Sequence, residues 1–148
     1  MVHALEKIHG LLQPGGMLID IHPSPEPPSI QVRIAGEMHD AGWLREADDY
    51  LAYEQADQAL AQVIEGGWFS LERKKGFRFT THAASLDDLR QHIEDEWQNA
   101  FIEDSTARWI EDLLRTRERD KEILLRESVQ IARLRPLAQE PGVGGPAR

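Results

Sequence analysis

Asp20 and His22 carry the sharpest chemical signal in this chain. They lie in the run Met17-Leu18-Ile19-Asp20-Ile21-His22-Pro23, which reads as an apolar strand. Side chains two apart on a strand share a face, so the carboxylate is placed to orient the imidazole for proton transfer. His22 also closes the strand, and open α/β sheets bind ligands at the carboxyl ends of their strands. These two are the catalytic candidates. The competing reading has them hydrogen-bonded to the proline-rich loop that follows, or inherited from a lost active site. Arg33 and Arg78 project from the polar sides of predicted strands, with the fork geometry that clamps a carboxylate; ion pairing with the chain's many acids is the alternative. His39, in Met38-His39-Asp40, comes near His22 if its hairpin folds back over the strand end. His82 lies with Arg78 and Thr80 on the strand face opposite Phe77 and Phe79. Arg33, His39 and His82 are the ligand-binding candidates. Three histidines and a carboxylate are donors of zinc or iron type. No H-x-H or H-x-x-x-H spacing holds two of them together, so no metal is expected. Ser70, Ser85 and Ser105 lack the turn of a nucleophile elbow.

Composition narrows the classes. The 148 residues fit one domain, expected over 1–137, with 138–148 as a disordered tail. Cysteine is absent, which removes disulfides, thiolate metal sites and cysteine nucleophiles and agrees with a cytoplasmic location. The net charge of −9 argues against nucleic acid, because phosphate binding needs a basic patch. No stretch reaches the roughly 20 apolar residues of a membrane span.

Patterning supplies the elements that position these residues. Val2, Leu5, Ile8 and Leu12 recur at helical spacing, and Pro14-Gly15-Gly16 ends that helix. The strand 17–22 is apolar on both faces apart from Asp20, as in a parallel or central strand covered on both sides. Pro23, Pro25, Pro27 and Pro28 make the next segment a stiff loop. Ile30, Val32 and Ile34 alternate with polar residues, and a returning strand is expected over 38–44. A helix is expected over 47–64, with Glu46, Asp48 and Asp49 at its positive end. Residues 68–73 and 77–83 read as two strands of a hairpin around Lys74-Lys75-Gly76. Ser85 is a good N-cap for a helix burying Leu86, Leu89, Ile93 and Trp97. A further helix is expected over 105–115 and a long strand over 122–134. There Leu134 falls out of phase with Val129 and Ile131, which predicts a bulge or an early end.

The order helix, Leu12-Gln13-Pro14-Gly15-Gly16, apolar strand resembles class I S-adenosylmethionine-dependent methyltransferases, where it follows the cofactor-binding half. The helix near 48–64, the strand 77–83, a helical insertion and the strand 122–134 resemble that family's last helix and closing antiparallel hairpin. The resemblance implies an α+β fold: a mixed, largely antiparallel sheet with packed helices, like the C-terminal half of a Rossmann-like methyltransferase. It also implies a parallel neighbour for strand 17–22, supplied by the half this chain lacks. No G-x-G-x-x-G stands between a strand and a helix here, so no cofactor is expected for the chain alone, and S-adenosylmethionine only with a partner. The function expected is a non-catalytic methyltransferase-like remnant, used in assembly or small-ligand binding and forming a homodimer. The alternative is the substrate-side half of a split methyltransferase with a separate cofactor-binding chain.

Overall fold

The structure is a computed structural model and describes residues 1–48 and 50–138. Asp49, expected near a helix start, and 139–148, nearly all of the expected tail, lie outside the described residues. Among the described residues, four helices pack on a six-stranded antiparallel sheet. In chain order the elements are α1 (Val2–Leu11), β1 (Leu18–Pro23), β2 (Ser29–Ile34), β3 (Glu37–Glu46), α2 (Leu51–Glu65), β4 (Phe69–Ala83), α3 (Leu86–Glu96), β5 (Ala100–Ile102), α4 (Asp104–Leu114) and β6 (Lys121–Pro136).

β6 organises the sheet. β4 pairs along its whole length on one side. On the other side β2 takes Lys121–Arg126 and β1 takes Val129–Leu134, end to end. The proline-rich loop bridges them, and Ser24 N–H donates to Ser128 O at 2.7 Å. β3 lies outside β2, and β5 pairs the end of β3. The β2–β3 turn places Ala35 at φ 50° and Gly36 at φ 86°, the two positive values a two-residue type I′ hairpin needs.

The out-of-phase Leu134 has a different cause from a bulge in β6. Ile123 and Leu125 face one core, with Ile30, Val32, Leu89, Ile93 and Ile110. Ala132 and Leu134 face a second core, with Leu5, Leu60, Val63 and Phe69. The two halves of one strand bury opposite faces, so its apolar period changes phase while its pairing with β1 and β2 stays in register. The predicted hairpin at Lys74-Lys75-Gly76 is absent. β4 continues through these residues because β6 is long enough to pair all of it, and only Glu72 is bulged out. That bulge puts Phe69 on the α1–α2 side and Phe77 and Phe79 on the other. β1 is likewise neither parallel nor central: it is antiparallel and has one strand neighbour among the described residues. β5 was not predicted, since three residues carry no period.

Candidate functional site

Asp20 and His22 share the β1 face that looks toward α2. His22 Nδ1 lies 2.5 Å from Asp20 Oδ2, and Nε2 lies 3.3 Å from Oδ1 of Asp57 on α2. Asp57 also accepts from Lys74 Nζ at 3.2 Å and from Gln130 Nε2 at 3.3 Å. The His22 side chain is 11% exposed. With both ring nitrogens engaged, the imidazole ties β1 to α2, β4 and β6. Asp57 escaped the sequence reading because it is 35 residues from His22. Its signal was an acid at i−3 from Leu60, bordering the buried stripe of α2.

Arg33 and His82 meet through a shared acid. Arg33 Nη2 lies 2.8 Å from Glu122 Oε1, and His82 Nδ1 lies 3.1 Å from Glu122 Oε2. Arg33 also approaches Asp120 at 3.8 Å, while its Nε is buried with no acceptor among the described residues. Glu122 fills the place a ligand carboxylate would take. His39 is opposite Val32 in the β2–β3 register, so it does not share the face of Arg33. The Asp20–His22 pair, the Arg33–His82 pair and His39 therefore form no common site.

A groove of about 500 Å³ opens on the polar face of the sheet, lined by Arg78, Arg126, Ser29, Gln31, Asp40 and Trp43, with Glu26 at the proline-rich loop. Arg126 is opposite Ser29 on β2 and Thr80 on β4, and Arg78 is opposite Ser128. The two guanidinium groups are thus diagonal neighbours on one face. Neither forms an ion pair among the described residues. Gln31 Nε2 donates to Asp40 Oδ1 at 2.6 Å, leaving Gln31 Oε1 buried without a donor among the described residues. Alternation had singled out Arg78. Arg126 joined it only through the β4–β6 register.

Between the ends of β1 and β2, Glu127 meets Glu46, Tyr50 and Tyr53 around a void of about 10 Å³, close to one water. Burial pushes the Glu127 carboxyl above its ordinary value, against the pull of His92. Burial, then the nearby Asp48 charge, does the same to Glu46. Burial and the Glu46 charge raise the Tyr53 phenol.

Among the described residues no group of three or more His, Asp or Glu side chains is placed to hold a metal ion. No described helix is long and apolar enough to cross a membrane. Comparison of the chain with protein-family models, curated proteins and solved structures returns no match.

Proposed function

We propose that this chain is a non-catalytic methyltransferase-like protein that acts in assembly, as a homodimer built on β1. The outer edge of β1 carries the reading. Sheet edges are usually guarded by charge or brevity. The edge strand β4 presents Glu72, Arg73, Lys74, Lys75 and Arg78, and β5 is three residues long. β1 has only Asp20 and His22, both turned toward α2. Its other face shows Ile19 at 46% and Ile21 at 59% exposure, beside Ile131, Val129 and the exposed Phe77 and Phe79. A patch of this kind marks an interface. Pairing β1 with a second β1 about a two-fold axis would extend both sheets and cover both patches.

Two features support the methyltransferase-like part. α2, β4 and β6 follow in order, with β4 and β6 antiparallel, as the resemblance implies for the closing hairpin. The free side of β1 is where the family's parallel neighbour would lie. A separate cofactor-binding chain, forming a split enzyme, would use that same edge. The fully engaged His22 favours the non-catalytic reading over chemistry at β1.

Light scattering at micromolar concentration tests assembly: a dimer mass is expected, and a monomer mass overturns the reading. Calorimetry with S-adenosylmethionine and S-adenosylhomocysteine tests the rest. No binding by the chain alone is expected, and saturable micromolar binding would return it to the enzymes.

A further inference from the structure

The groove around Arg78 and Arg126 has a property that assembly does not use. Its lining holds two cations, Arg78 and Arg126, and two carboxylates, Glu26 and Asp40. Among the described residues none of the four forms an ion pair, and the Asp40 carboxylate takes only the neutral Gln31 amide. In a chain with 26 acids and 17 bases, arginines readily find carboxylates, as Arg33, Arg133 and Arg135 do. Two unpaired guanidinium groups held as diagonal neighbours repel one another. They are best satisfied by one planar oxyanion that both can fork. The two carboxylates would repel a polyanion and an ordinary phosphate, but they suit a cation on the same ligand. Trp43, 55% exposed at the rim, offers a flat apolar wall beside them. About 500 Å³ is within the usual range for small-molecule sites.

We infer that this groove binds a small zwitterion, an α-amino acid with an apolar side chain. The carboxylate lies on Arg78 and Arg126, the ammonium faces Glu26 and Asp40, and the side chain packs on Trp43. The groove is on the sheet face opposite Ile19, Ile21 and Phe77, so the site stands whether or not the dimer does.

The test is calorimetry on the full chain with leucine and phenylalanine, alongside 4-methylpentanoate, which is leucine without the ammonium, and isoamylamine, which is leucine without the carboxylate. Saturable binding of an amino acid is expected, with each half-ligand weaker by about tenfold or more, the worth of one charge-assisted contact. R78Q, R126Q and E26Q should each weaken binding by a similar factor at an unchanged melting temperature. R78K and R126K keep the charge but lose the fork, so they provide a second reading if a glutamine variant does not fold. Amino-acid binding should also quench tryptophan fluorescence in the parent and not in Trp43→Phe. No binding of either amino acid at about 10 mM, where any built site should show, overturns the inference. 4-Methylpentanoate binding as tightly as leucine, or affinity unchanged in both arginine variants, overturns it too. Light scattering reads the dimer separately.

Discussion

His22 Nε2 lies 3.3 Å from Asp57 Oδ1, and this contact joins the edge strand β1 to the helix above it. Asp57 is the acceptor for three elements, taking His22 from β1, Lys74 from β4 and Gln130 from β6. A hub of this kind holds an edge strand that has only one strand neighbour among the described residues.

Asp57→Ala is expected to cost about 1–2 kcal/mol, since several hydrogen bonds to a partly buried charge are lost at once. Urea denaturation would measure it. A cost near zero would mean that the network is a surface feature. The substitution is expected to leave amino-acid binding in the groove unchanged.

Gly42 is fixed by packing as well as by its backbone. Its φ is 140°, and a Cβ there would meet Thr106 Oγ1 of α4 at 2.7 Å. Gly42→Ala should destabilise by about 2–3 kcal/mol, through backbone strain and displacement of α4. Gly10→Ala is the contrast: nothing lies within 4 Å of that Cβ and the site is helical. It should stabilise by about 0.5–1 kcal/mol. Denaturation midpoints that move the same way in both variants would contradict this account.

Glu127 gives a pH prediction. Its carboxyl titrates above the ordinary glutamate value of 4.5 because burial disfavours the charge. A raised folded value means that the group's contribution is complete below 4.5 and is lost as pH rises through the folded value. The parent and Glu127→Gln should therefore match most closely near pH 4, and the variant should gain in relative stability as pH climbs. Melting curves across that range would check it, and a gap that narrows with rising pH would refute it.

The edge of β1 should respond to charge. Ile21→Lys places an ammonium in the exposed apolar patch and leaves both cores untouched. The variant should remain folded by circular dichroism but scatter as a monomer. A variant that is still dimeric would move the interface away from this face.

How much was legible in the sequence depended on how local each cause was. Ser85 capped its helix as expected, accepting from Asp88 N–H at 3.1 Å, because the cap and its helix are three residues apart. The β2–β3 hairpin was legible from its alternation, and the helix stripe Val2–Leu12 from its period. These features need no information from distant residues. The course of β4 was not local: Lys74-Lys75-Gly76 reads as a turn in isolation and is extended because β6 offers sixteen residues to pair. Nor was the phase change in β6 local, since it records two cores on opposite faces of one strand. The same limit applied to function. The sequence placed Asp20 beside His22 and chose Arg78, because strand alternation determines which side chains share a face. Only the tertiary fold brought Asp57 to His22, Glu122 to Arg33 and His82, and Arg126 to Arg78. Each of those meetings is set by strand register and helix docking between segments far apart in the chain, and no short-range spacing encodes them.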